Sequence, residues 1–313
     1  MTKRQKFLSD SQYGIFLKES DEVIRFFESN RFKSETDEEE KSLRARHFQL
    51  LTLDRLFITY TAGQPIEALL PILEKVIEGY ETWQRALALH EGVINISPLA
   101  IDDWSYQYEE CVQVISLCIL LHRKDLLKRF VALIDQAGYA GDDTLYEDLL
   151  GKVLPERHDV DQWYHDSYTL LVRAIYASSQ NEASELLKNY CKDWYSEFEQ
   201  APWHDSHLQG DEGNYVGYWA FEAAAVAFLY DIDDSQIDSM VYPKDLTEYA
   251  RNYKSLNSPQ VNRIESGKPC SKSGYWFTPA QSNSRRYFNQ GEIMPSFSGS
   301  NWGDTLWYWS GEK

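Results

Sequence analysis

Cysteine is scarce in this 313-residue chain: Cys111, Cys118, Cys191 and Cys270 are its four, and none stands in the paired C-x-x-C spacing of a zinc site. Cys111 and Cys118 share one apolar helical stripe with Ile115 and Ile119, where a free thiol packs as a small hydrophobe, so no redox chemistry follows. Long apolar runs are missing too. The longest, around Phe221, is broken by Glu222 and falls short of the roughly 18 to 20 residues that a membrane helix needs. The start, Met-Thr-Lys-Arg-Gln-Lys-Phe, has charge but no apolar segment behind it, and the expectation is a soluble, cytoplasmic protein with reduced thiols. Basic residues are in deficit: 31 Lys and Arg stand against 49 Asp and Glu, a formal charge of −18. Such a surface repels nucleic acid and anionic membrane and favours a basic partner. No pair of Glu-x-x-His motifs is present, which excludes di-metal helical bundles and leaves a carboxylate-dependent hydrolase as the remaining enzymatic alternative.

What is present is helical periodicity, and the acid goes with it. Residues 257–313 hold four acids and six bases, so residues 1–256 carry −20. Leu43, Leu50, Leu53, Phe57 and Tyr60 fall on one face of a segment that opens on the acid run Asp37 to Glu40, where the helix dipole favours negative charge, and closes at Gly63. Pro65 opens a second helix, with Ile66, Leu69, Leu73, Val76, Ile77, Tyr80 and Leu87 at three- and four-residue steps, so the two predict an antiparallel hairpin. Asp102 or Asp103 is placed to cap a helix through Tyr108 to Ile119, and Asp125 one through Ile134 that stops at Gly138. Further helices are expected over 160–178, 181–198, 214–230 and 243–254. After Ser255 Gly, Pro, Ser and Asn increase and ten aromatics crowd into 57 residues, Trp276, Phe277, Trp302, Trp307 and Trp309 among them. The fold class is therefore all-α, antiparallel helix hairpins in a bundle, with a short aromatic-rich loop and β tail. The expected organisation is an N-terminal helical half over 1–138, a Gly-, Asp- and Pro-rich linker with room for a short helix over 139–159, a C-terminal helical half over 160–256, and the tail over 257–313 packed on the body.

Residues 218 to 234 form a nearly unbroken apolar stretch that carries one carboxylate, Glu222, and ends in Asp231-Ile232-Asp233-Asp234. With Ser235 and the segment Tyr242-Pro243-Lys244-Asp245-Leu246 to Ala250-Arg251, this block resembles the PoNi family, bacterial immunity proteins that neutralise PoNe-type DNase toxins delivered between competing cells. The tail sequences Ser273-Gly274-Tyr275-Trp276-Phe277-Thr278-Pro279-Ala280 and Asn283 to Phe288 are similar to a C-terminal module of several Gram-negative toxin-immunity proteins. The resemblance implies an inhibitor rather than an enzyme, with a cognate nuclease toxin domain as partner; the charge argues against direct contact with nucleic acid or membrane, and no cofactor or metal is expected. A helical scaffold for another protein or peptide is the alternative.

An acidic body suits a DNase, which is basic where it grips phosphate, and inhibition would follow from steric cover of the toxin's DNA-binding or active site or from carboxylates standing where phosphates would lie. Two acidic loops flank the apolar block: Asp205 with Asp211 and Glu212 before it, Asp231 and Asp233 after it. The first is favoured as the toxin contact because Trp203, His204 and Tyr215 offer aromatic anchors. Asp102 and Asp103 form a further candidate contact. Trp203-His204-Asp205-Ser206-His207 contains an H-x-x-H but no third ligand, so a polar loop is the better reading than a metal site. Glu222 is expected to be a buried structural carboxylate paired with an Arg or Tyr, with Arg251 foremost, since an unpaired buried charge is costly.

Overall fold

The computed structural model describes residues 2–257, 263–281, 283–297 and 305–311, in two compact units, Met1–Arg251 and Asn252–Lys313. The first is all-helical. Its order is α1 (Gln12–Ser29), α2 (Asp37–Thr61), α3 (Leu70–Glu91), α4 (Ser105–Leu120), α5 (Lys124–Asp135), α6 (Thr144–Gly151), α7 (Thr169–Ile175), α8 (Gln180–Glu197), α9 (Phe221–Leu229) and α10 (Lys244–Asn257), the last running into the second unit. Trp302 lies outside the described residues.

Local chemistry sets the helix starts. Thr36 caps α2 by accepting from the Glu39 amide, with four acids in the first turn; Asp143 caps α6 and Ser179 caps α8 in the same way. The expected hairpin of α2 and α3 is present, and its pairing runs antiparallel: the Arg46 guanidinium lies over the Trp83 ring, 4.3 Å from its centroid, while Gln49 meets Gly79. A Cβ at Gly79 would stand 3.3 Å from Gln49, so the glycine permits the close approach. Between them, Ile66–Leu69 is a short 3-10 turn, so α3 proper starts at Leu70 and not at Pro65. Every residue of α4 from Cys111 to Leu120 is buried, which makes it the central rod; α5, α6 and α9 pack around it.

Four expectations change. Neither Asp102 nor Asp103 caps α4: the N-cap position belongs to Trp104, and Asp102 instead accepts from Tyr139 Oη at 2.7 Å. Asp125 lies inside α5 and is held by Arg123 at 2.7–2.9 Å. The helix expected over 160–178 shrinks to a 3-10 turn, Asp166–Tyr168, followed by α7. The helix expected from 214 begins only at Phe221. Residues 214–220 carry no regular secondary structure, and from Tyr215 on they are largely buried; Gly217 adopts φ +123°, and a Cβ there would strike Thr61 Oγ1 at 2.1 Å. Thr61 ties that segment down: its Oγ1 donates to the Val216 carbonyl at 2.6 Å and accepts from the Trp219 indole Nε1 at 2.8 Å.

The first residues are stitched into the same region. Gln5, 2% exposed, donates to the carbonyls of Tyr218 (2.5 Å) and Met240 (2.9 Å) and accepts from the Tyr218 amide (2.9 Å) and the Tyr215 hydroxyl. Arg4 donates to Asp245 at 2.6 Å and to the Tyr60 carbonyl at 2.6 Å. One continuous core therefore runs from Leu8 to Ala250. In the second unit β1 (Arg263–Glu265), β2 (Gly274–Phe277), β3 (Arg286–Phe288) and β4 (Leu306–Gly311) form an antiparallel sheet in the order β1-β4-β2-β3. Trp276, Phe288, Met294, Trp307 and Cys270 make its small core.

Arg157 joins α5 to α6: its guanidinium donates to Asp135 at 2.6 Å and to both oxygens of the buried Glu147 at 2.7 and 2.9 Å. Arg157→Met leaves Glu147 buried without its countercharge and should lower the unfolding free energy by about 3–5 kcal/mol. Urea midpoints with an unchanged slope would register it, and a loss below about 1 kcal/mol would contradict the pairing argument.

Candidate protein interface

Carboxylates on apolar helices define the interior of the first unit. Glu222 of α9 is wholly buried, and its Oε1 accepts from Tyr190 Oη and Trp194 Nε1 of α8, each at 2.8 Å, while Oε2 has no partner among the described residues. Burial pushes its carboxyl up to about 7. Arg251 is not its partner. That guanidinium donates to Asp234 at 2.7 Å and to the Ile232 carbonyl at 3.1 Å, closing the turn after α9. The aromatic donors on α8 reach Glu222 inside the core without bringing a charge with them, which a guanidinium could not do. Asp234 also accepts from Tyr242 Oη at 2.5 Å, and no helix follows it to cap.

Glu109 on α4 is the second buried acid. Both its oxygens accept from Trp203 Nε1 (2.9 and 3.0 Å), and Oε1 also accepts from Gln113 Nε2 at 2.9 Å. Its carboxyl is pushed up to about 8, first by burial and then by the nearby charges of Glu222 and Glu110. Trp203 is stacked on Trp194, ring centroids 4.9 Å apart and 9° from parallel. Trp203 is thus fixed in the wall of the body, with its indole N–H spent on Glu109, rather than projecting as an anchor. Tyr215 is likewise buried.

Above Glu109 opens a cleft of about 340 Å³ between α2, α4 and the 202–216 segment. Leu50, Leu53, Phe57, Tyr106, Trp203 and Val216 give it mainly apolar walls, and Asp54 and Glu109 line it as well. A broader hollow of about 700 Å³ shares Arg46 and Tyr106 with it and continues along residues 93–100. Beside this pair of hollows large apolar side chains face solvent: Ile94 is 85% exposed, Trp104 51%, and the Trp104 and Tyr106 rings lie 5.9 Å apart. Exposed aromatics next to concave apolar surface are the usual anatomy of a protein contact.

The structure brings some of the expected contact residues to this face and not others. Asp102 and Asp103 are exposed immediately before Trp104. Asp205 is exposed in the left-handed region (φ 60°), accepts from Tyr195 Oη at 2.7 Å, and precedes Ser206 and Gln209 of the cleft wall. His204 is half-buried with its ring 4.1 Å from Tyr195. Asp211 and Glu212 end a 3-10 turn over Ser206–Glu212, and their side chains lie outside the described residues. Asp231 and Asp233 are exposed at the far end of α9 and line neither hollow. His207 Nδ1 lies 2.8 Å from Tyr218 Oη, and among the described residues no group of three or more His, Cys, Asp or Glu side chains is placed to hold a metal ion. No described helix is long and apolar enough to cross a membrane. Asp54, Glu109, Trp104 and Tyr106 escaped the sequence reading; the available signal was Glu109 between Tyr108 and Cys111, an acid on a helix that has no polar side to put it on.

Residues 141–246 match the family model described as PoNe immunity proteins (PoNi), C-terminal. The match contains most of the 215–251 block and reaches back through α8, α7 and α6. That family model is one of immunity proteins. The solved structure of protein PA2201 from Pseudomonas aeruginosa is similar with a TM-score of 0.62 at 21% identity, covering 80% of this chain and 92% of that one, a likeness of fold. No curated protein matches the chain by sequence.

The buried acids fix a pH dependence. Between the ordinary glutamate value of about 4.3 and the raised values, the folded chain holds protons that the unfolded chain has released, so these groups make stability fall as pH rises. Each contributes a slope of up to about 1.4 kcal/mol per pH unit, complete once pH passes about 7 for Glu222 and about 8 for Glu109. Glu222→Gln and Glu109→Gln should each reduce the loss of stability between pH 5 and pH 8 relative to the parent, as read from urea midpoints. Parallel curves for parent and variants would show that the carboxyls are ionised throughout.

Proposed function

We infer that this chain, whose residues 141–246 belong to the PoNi C-terminal family of PoNe immunity proteins, binds a cognate PoNe toxin that is a basic DNase and inhibits it by covering its DNA-binding or active surface. The observation that carries the reading is the family match; the charge and the exposed aromatic face support the mode. With −20 on residues 1–256, long-range attraction would speed encounter with a cationic nuclease domain, and an inhibitor made beside its toxin needs rapid capture. Affinity would come from a smaller set of desolvated contacts.

The proposed contact is the face that holds the two hollows. Trp104, Tyr106 and Ile94 are its exposed anchors, Asp102 and Asp103 stand at one margin, and Asp205 with the 205–212 turn stands at the other. A standard interface of about 800 Å² per partner is wide enough to include both margins. Asp231 and Asp233, at the other end of α9, would then serve long-range attraction alone. His204 acts from behind this surface, by holding the 202–209 segment in place, and Trp203 forms part of the cleft wall.

At equimolar ratio the chain should abolish DNA cleavage by its toxin in vitro. Asp102→Lys with Asp103→Lys, and separately Asp205→Lys, should weaken binding at least tenfold with unchanged melting, whereas Asp231→Lys with Asp233→Lys should slow association about two- to threefold and leave dissociation alone. Surface plasmon resonance separates the rates. If reversal at 231 and 233 removes binding while the other variants retain it, the contact lies at the opposite end of α9.

A further inference from the structure

Three carboxylates border the cleft between α2, α4 and the 202–216 segment, and their partners differ in kind. Glu109 is satisfied by Trp203 and Gln113. Glu110 is held by Arg46 through two hydrogen bonds, at 2.7 and 2.9 Å, and by the Tyr80 hydroxyl. Asp54, about one helical turn beyond Leu50 on α2, has neither a hydrogen bond nor an ion pair among the described residues, although it is half-buried on the cleft wall. Arg46 is close enough to attract it electrostatically, but its hydrogen bonds go elsewhere: to Glu110 and to Gln49 Oε1 at 2.7 Å, with the guanidinium over the Trp83 ring.

We propose that this cleft is a socket for one arginine side chain presented by the toxin, with Asp54 as its carboxylate. The inference rests on the immunity reading for the source of the arginine and on the cleft itself for the chemistry. The mainly apolar walls suit the methylene stem, Tyr106 and Trp203 line the walls with aromatic faces of the kind on which a planar guanidinium stacks, and both Asp54 oxygens are open to its forked donors. A half-buried carboxylate without a donor is unfavourable in the unbound protein, and an arriving cation relieves that penalty, so the interaction is stronger here than at an exposed aspartate. Burial and the Glu110 charge push the Asp54 carboxyl up to about 7, against the pull of Arg46, which is the behaviour of a site lacking its countercharge. The other titratable groups facing it are Tyr106, Glu109 and Glu110 on α4 and Arg46 on its own helix; the described lining residues of the 202–216 segment are uncharged.

Two measurements test the socket. In the first, the toxin is titrated calorimetrically into the parent chain and into Asp54→Asn at pH 6.5, in two buffers of different ionisation enthalpy. The expected result is at least a tenfold loss of affinity in the variant, together with a proton released on binding to the parent and absent from the variant, at equal or higher melting temperature. In the second, the parent chain alone is titrated with the peptide acetyl-Gly-Arg-Gly-amide and with its citrulline counterpart up to 10 mM, followed by tryptophan fluorescence. Saturable quenching by the arginine peptide alone is expected, with none in Asp54→Asn. Toxin binding that is unchanged in Asp54→Asn, or equal responses to arginine and citrulline, or no saturable response to either, overturns the socket. A parent chain that takes the arginine peptide but does not bind the toxin overturns the immunity reading and leaves the socket standing.

Discussion

The architecture depends on how an all-helical core accommodates carboxylates. Burying an ionised acid in an apolar interior is prohibitive unless donors are delivered to it, and this chain delivers them mostly from neutral aromatic side chains. Tyr190 and Trp194 serve Glu222, Trp203 serves Glu109, Tyr108 serves Asp143 at 2.6 Å, and Tyr242 serves Asp234. Each such bond fixes the azimuth of one helix against another more sharply than apolar packing does, since a donor and an acceptor must meet within a few tenths of an ångström. The abundance of Tyr and Trp in the sequence is thereby explained: they fill volume and carry a polar tip to the same place.

Much of the helical scaffold was legible beforehand because it obeys local rules. The face through Leu53, Phe57 and Tyr60 and the stripe along α4 follow from periodicity, and the start of α2 follows from its acid run. The small sheet in the tail was foreshadowed by its aromatics. Where long-range contacts override local preference, the reading failed. Residues 214–220 look like a continuation of α9 by apolarity, yet they are drawn out by bonds to Thr61 and Gln5, more than 150 residues away in the chain. The first helix escaped that reading although Tyr13, Phe16, Leu17, Val23, Ile24 and Phe27 form a half-buried stripe at three- and four-residue steps, since its fully buried positions are the polar Gln12 and Ser20.

The candidate interface was legible in part for the same reason. Exposed acids at 102, 103 and 205 could be named from sequence, but not that Tyr106 and the 202–209 segment border one cleft. What sequence could not show for Trp203 is that its indole N–H is consumed by Glu109, some 94 positions earlier, so that the ring stands in the cleft wall rather than projecting from a loop. Arg251 failed as the partner of Glu222 through proximity of another acid: Asp234 lies at the mouth of the turn, where a guanidinium reaches it with less desolvation.

The contacts of Arg4 and Gln5 bear on when the protein becomes competent during its own synthesis. Arg4 closes on Asp245, a separation of 241 residues, and Gln5 on the carbonyl of Met240, a separation of 235. A ribosome adds roughly 5–20 residues per second, so the amino-terminal segment waits on the order of ten seconds or more for the chain that will receive it. Until then the α2–α3 hairpin and the central rod are exposed to chaperones and proteases without the clasp that joins them to α9 and α10. The clasp can therefore close only after residues 240–245 have left the ribosome, late in the synthesis of the chain.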